Sequence, residues 1–114
     1  MREEFELVAE MMGVEIQWSS NVPLVFNEAW TVWQPHLPGA DCMELMAVIN
    51  ARIGWGAVRN IVSVHTYIKA AAISSEWLIH NNTTADKARA IAEAVFKCAV
   101  AVARARKQSE QEKV

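Results

Sequence analysis

The chain has 114 residues, 53% hydrophobic and 21% charged, with a net charge of −2. That length suits one domain burying roughly two thirds of its unfolded surface, and the composition excludes a disordered chain. So small a net charge also excludes a global field that would gather nucleic acid or anionic lipid.

Residues 2–12 predict the first helix. Glu3, Glu4 and Glu6 crowd its opening turns, where the positive end of the macrodipole favours them. Phe5, Val8, Ala9 and Met12 fall at i, i+3, i+4 and i+7, and Gly13 stands where a left-handed cap belongs. The period then changes. Val14, Ile16 and Trp18 alternate with Glu15 and Gln17, the pattern of a strand with one buried face. Ser19-Ser20-Asn21 is turn chemistry. Pro23–Phe26 and Trp30–Trp33 read as one strand interrupted at Asn27-Glu28, or as two short ones.

After Pro35 and a short turn, Asp41 is expected to cap a second helix, with Glu44 three residues on. Cys42, Leu45, Met46, Ile49 and Ile53 share one helical face, and Gly54 is the expected stop. Residues 57–69 alternate again. Val58, Val62, Val64 and Ile68 point one way; Arg59, Ser63, His65, Tyr67 and Lys69 point the other. Ala70–His80 is a further strand, with Ile73, Trp77 and Ile79 on one face, joined by a hairpin around Lys69–Ala72. Thr83 and Asp86 have the spacing of a helix cap and its third residue. Ala85, Ala88, Ile91, Ala92, Val95, Phe96, Ala99, Val102 and Ala103 then form a long stripe of mostly small residues. Arg104, Arg106 and Lys107 complement the negative end of the dipole, and a polar tail over 109–114 is expected to fray. The fold class is α+β: three helices and a small, mainly antiparallel sheet in one domain over 1–108.

Four patches carry a family resemblance. Leu7–Gly13, Trp33-Gln-Pro35 followed by Asp41 and Leu45, a middle hairpin, and Arg89–Ile91 in an Ala-rich closing helix resemble small tailed-phage and prophage proteins of the phage alpha-beta-alpha sandwich domain. Pro38-Gly39 and Ala70-Ala-Ala72 depart from that pattern. The resemblance implies a sheet sandwiched between helices and a phage origin. It implies no chemistry, because the family has no established activity.

The chemistry-bearing residues are sparse. His36, His65, His80, Cys42 and Cys98 show no metal-ligand spacing, so neither metal nor cofactor is expected. Cys42 and His36 could form a nucleophile–base pair, but Cys42 lies on the core stripe, where an inert thiol is the simpler reading. Asp41 and Asp86, the only aspartates, both sit at helix starts, and no Gly-rich phosphate loop is present. No enzyme is expected.

Five tryptophans are many for this length, and the residue is enriched at interface hot spots. Trp30, Trp33, Trp55, Arg59, His65, Tyr67 and Lys69 are therefore the candidate partner-binding residues. The expectation is a non-catalytic binding protein that occludes a host protein, as an inhibitor of bacterial defence such as CRISPR interference would. That defence role comes by analogy with other small phage proteins. A nucleic-acid binder using the Arg59–Lys69 face is the alternative, disfavoured by the net charge. A homo-oligomer stays open. The Met1–Glu4 opening does not read as a secretory leader, and Lys87, Arg89, Glu93 and Lys97 interrupt the apolar C-terminal stretch. A reduced bacterial cytoplasm is the expected compartment.

Overall fold

A computed structural model describes residues 2–56, 60–68, 71–81 and 83–112. Three helices and six strands follow in the order α1 (Arg2–Met12), β1 (Gln17–Ser19), β2 (Val22–Asn27), β3 (Ala29–Val32), α2 (Ala40–Ile49), β4 (Arg52–Trp55), β5 (Ile61–Ile68), β6 (Ala71–Leu78) and α3 (Thr84–Glu112). The fold is α+β and its β-structure antiparallel, as the sequence predicts. The strands divide into two sheets, β1-β2-β3 and β4-β5-β6.

α1 ends where its glycine stands. Gly13 adopts φ +72°, and the Gly13 and Val14 amides donate to the carbonyls of Glu10 and Ala9. That pair of bonds is a Schellman closure. The strand expected from Val14 is shorter than its alternation suggests, since only Gln17–Ser19 pairs with β2. Asn27-Glu28 does break the next segment into two strands, with Glu28 left-handed at φ 67° between them.

The turn into α2 corrects the expected cap. Gly39 occupies the cap position, at φ 152° and with no side-chain cap bond. Asp41 lies inside the helix, and its Oδ2 accepts the Gln34 amide at 2.9 Å. The carboxylate thus staples the end of the β3 segment to the start of α2, across the turn that buried Pro35 rigidifies. The helix also stops before Gly54. Asn50, left-handed at φ 52°, closes it as the Asn50 and Ala51 amides donate to Ala47 and Met46. Ile53 and Gly54 therefore belong to β4, where Ile53 pairs with Val64.

Thr83 caps α3 as its spacing predicts. Its hydroxyl accepts the Asp86 amide at 3.2 Å, while Asp86 accepts the Asn81 amide at 2.6 Å and the Arg89 guanidinium at 2.9 Å. Those bonds, the Asn81 amide first, hold the Asp86 carboxyl below its usual range, against the opposing effect of desolvation. α3 continues to Glu112 rather than fraying at 109.

α3 is the organising element. Ala90, Ala92, Ala94, Val95, Phe96, Cys98, Ala99, Val100, Val102 and Ala103 are all buried, wider than one stripe. A helix buried on most sides has neighbours on most sides. The second sheet packs on it through β5 and β6, and α1 and α2 pack on it as well. Val62 and Val64 of β5 meet α3 in one core with Phe5, Val8, Leu45 and Ile49. Thr66, buried on that same strand face, donates its hydroxyl to the Ile49 carbonyl and so ties β5 to the end of α2. The first sheet joins the core through Trp18, Val25 and Trp33. Phe5 is the hinge of that junction, with the rings of Trp18, Trp33, His36 and Phe96 at 6.1, 6.2, 5.1 and 4.9 Å.

Candidate functional site

The candidate residues that the structure describes, Trp30, Trp33, Trp55, His65 and Tyr67, do not form one surface. Trp33 is a core residue, 3% exposed, which corrects its assignment to a binding face. Trp30, three positions earlier, is 50% exposed. Strand alternation explains the split, because residues separated by three project to opposite faces. Trp55 is 54% exposed, at the end of β4 opposite Val62, on the side that faces α3. His65 and Tyr67 lie on the other face of that sheet, half-buried and exposed respectively. Arg59 and Lys69 lie outside the described residues, as do Val58 and the hairpin connection at 69–70.

Two exposed patches result. The first is the open face of sheet β1-β2-β3. Val22, Leu24 and Phe26 alternate along β2 toward that face, and the register sets Leu24 against Val32 and Phe26 against Trp30. Phe26 is 63% exposed, and its ring centroid lies 5.3 Å from that of Trp30. Val22 and Val32 are 40% and 46% exposed. Beside them a cleft of about 300 Å³ opens, lined largely by apolar groups of Phe5, Val22, Val32, Trp33, His36 and Leu37. The opposite face of the sheet is anchored: Trp18 of β1, paired with Pro23, donates to Glu6 at 3.1 Å, under the Arg2 guanidinium at 4.5 Å. Packing on α1 therefore holds the sheet, and leaves its apolar outer side open. Val22, Phe26 and Val32 were not among the residues singled out from the sequence. Their signal was parity: Val22-x-Leu24-x-Phe26 is an apolar row, and Pro23 and Val25 already supply the buried one.

The second patch is the outer face of sheet β4-β5-β6. The Arg52 guanidinium lies 5.8 Å from the Tyr67 ring centroid, and His65 sits opposite Arg52 and Ser74. Glu76, opposite Ser63, adds an anionic side chain to the same face. Among the described residues, this face therefore carries charges of both signs, which gives phosphates little field to follow.

Cys42 is buried in the core, and the His36 ring packs against Phe5 at its edge. Burial pushes the Cys42 thiol pKa up, opposite to the depression that an activated thiolate needs. The Cys98 thiol is pushed up by the same cause, and both cysteines are free and buried. Burial likewise lowers the His36 pKa, outweighing the opposite pull of Glu93. Its Nδ1 is buried without a hydrogen-bond partner, and its ring packs edge-on against Phe5 and Phe96. A neutral, aromatic packing role accounts for that setting.

Among the described residues, no group of three His, Cys, Asp or Glu side chains could hold a metal ion. No helix among them is long and apolar enough to cross a membrane. The chain matches no protein-family model, no curated protein and no solved structure.

Proposed function

We propose that the protein is a non-catalytic protein-binding module that docks through the open face of its first sheet. One observation carries this reading: Phe26, Trp30, Val22 and Val32 expose contiguous apolar surface on two paired strands beside a cleft. A solvated sheet face ordinarily alternates polar residues outward, and an apolar patch of this kind marks an interaction site. Trp30 and Phe26 supply large, stiff contact area, and the cleft offers a pocket for a partner's anchor. The partner class, a bacterial host protein whose surface is occluded, rests on the sequence resemblance alone, as does any role against host defence. The free, buried thiols of Cys42 and Cys98 support action in a reducing cytoplasm.

A photo-crosslinking amino acid placed at position 30, and separately at position 55, tests the reading in bacterial lysate. A discrete adduct from position 30 that excess unmodified protein competes away, and a Trp30→Ser protein does not, supports it. Equal or diffuse labelling from both positions contradicts it.

A further inference from the structure

The two sheets end in four edge strands, and three of them are short. β1 has three residues, β3 four and β4 four, whereas β6 has eight. An edge strand carries a row of unpaired amides and carbonyls, which proteins commonly blunt with a lysine, a proline, a bulge or brevity. β6 has none of these devices. Ala71–Leu78 meets β5 through eight consecutive partners, and Glu76 is its one charge.

One bond fixes the direction of its free groups. The Ile79 amide donates to the Asn60 carbonyl at 2.7 Å, and the register continues that pair as Ile61 with Leu78. Bonded and non-bonded pairs alternate along an antiparallel ladder, so Trp77, Ser75, Ile73 and Ala71 bond to β5. The N–H and C=O groups of Ala72, Ser74, Glu76 and Leu78 then point away from β5, and all four residues are exposed.

We infer that this edge pairs with the same edge of a second copy, antiparallel about a twofold axis at Ser75, so that two three-stranded sheets become one of six. The row of free groups calls for an extended backbone, and the side chains select which one. Centred on Ser75, the pairing sets Ala72 against Leu78 and Ser74 against Glu76 on the outer face. On the face toward α3 it sets Ile73 against Trp77. Symmetry makes each of these contacts twice, as an isologous interface requires. A β-branched residue thus meets an aromatic ring, and a hydroxyl can donate to a carboxylate. About eight backbone hydrogen bonds form, and the two Glu76 residues fall on a diagonal, about 7–8 Å apart.

The neighbouring registers are worse. Centred on Glu76, the two carboxylates would stand directly opposite each other, which is destabilising. Centred on Ser74, Ile73 would meet Ser75 and one bonded pair within Ala72–Leu78 would be lost. An axis between two residues would turn free groups toward groups that β5 already uses. The strand is therefore complementary to itself in one register. Paired edges bury less than a standard interface, so the dimer is weak and reversible. It uses neither Phe26 nor Trp30, and so is separate from the docking role proposed for the first sheet.

Sedimentation velocity over a micromolar to millimolar series of the full chain tests this. The wild type should pass from monomer to dimer. Ser74→Pro should raise the dissociation constant at least about tenfold, because the ring removes an edge-pointing N–H from both symmetry-related pairs. In the monomer that N–H faces solvent, so the variant keeps its fold, which circular dichroism checks. Ser74→Ala keeps the N–H and should stay within about threefold, and Trp30→Ser within about twofold. As a second measurement on the wild type, the amide proton resonances of Ala72, Ser74, Glu76 and Leu78 should shift with concentration more than those of Ile73, Ser75 and Trp77. A wild type that stays monomeric throughout overturns the proposal, as does a folded Ser74→Pro that dimerises like the wild type. Concentration-dependent shifts confined to the first sheet overturn it as well, and place self-association on the apolar face instead.

Discussion

Replacing Phe5 with alanine tests how the docking sheet is anchored. Phe5 is 6% exposed and touches four aromatic rings that arrive from β1, the β3 segment, the following turn and α3. Removing a buried phenyl ring costs about 3–5 kcal/mol through lost transfer energy and the cavity left behind. The edge-on ring contacts push this toward the upper end, since each such pair adds about 0.5–1.5 kcal/mol beyond area. A domain of this size has only about 5–15 kcal/mol in total. Equilibrium urea unfolding should therefore show the midpoint of Phe5→Ala falling by about 2–3 M, with the slope unchanged. Phe5→Leu, which keeps most of the volume, should lose about 1.5 kcal/mol or less. A cost for Phe5→Ala below about 1 kcal/mol, in the range of surface substitutions, would refute the account of Phe5 as the junction of α1, α3 and the first sheet.

Further outcomes follow from the same contacts. Thr83→Ala removes the hydroxyl that caps α3 and should cost about 1 kcal/mol in the same unfolding assay, whereas Thr84→Ala, one residue on, should cost less. Thiol alkylation of the native protein should be slow at both Cys42 and Cys98, and should become fast in denaturant, because burial raises both pKa values and hides both sulfurs. Burial also lowers the His36 pKa, so the unfolded chain takes up that proton first as the pH falls. The contribution of His36 to stability is then complete above its unfolded pKa, about 6.5, and declines below it. Unfolding midpoints measured from pH 7.5 to 5 should fall less steeply for His36→Gln than for the wild type, and parallel slopes would contradict the assignment.

The sequence discloses the periodic parts of this fold. α1 and its Gly13 stop, the Thr83 cap and the inward row Val62–Val64 all follow from spacing, since each is fixed by neighbours within a few residues, whereas no turn signal marks the pairing of β5 with β6. The turn into α2 is less legible. Asp41 has cap spacing with Glu44, but its carboxylate is used by the Gln34 amide, a partner seven residues back that only the folded turn supplies. Asn50 ends that helix in place of Gly54 because asparagine tolerates the left-handed conformation nearly as well as glycine. The division into two sheets is set by which strand edges meet, and no local pattern encodes that. The candidate face was half legible. Trp30 is identified by its type, whereas its separation from Trp33 needs strand parity, and its association with Phe26 and Val22 needs the register of β2 against β3.

The most direct test of the docking face is a binding isotherm for the partner identified through position 30, measured by titration calorimetry. The Phe26→Ser and Trp30→Ser variants should each weaken binding at least about 30-fold, while Trp55→Ser and Tyr67→Phe should leave it within about twofold. Equal affinities for all four would show that the partner binds elsewhere, and that the apolar face of the first sheet is not the site of recognition.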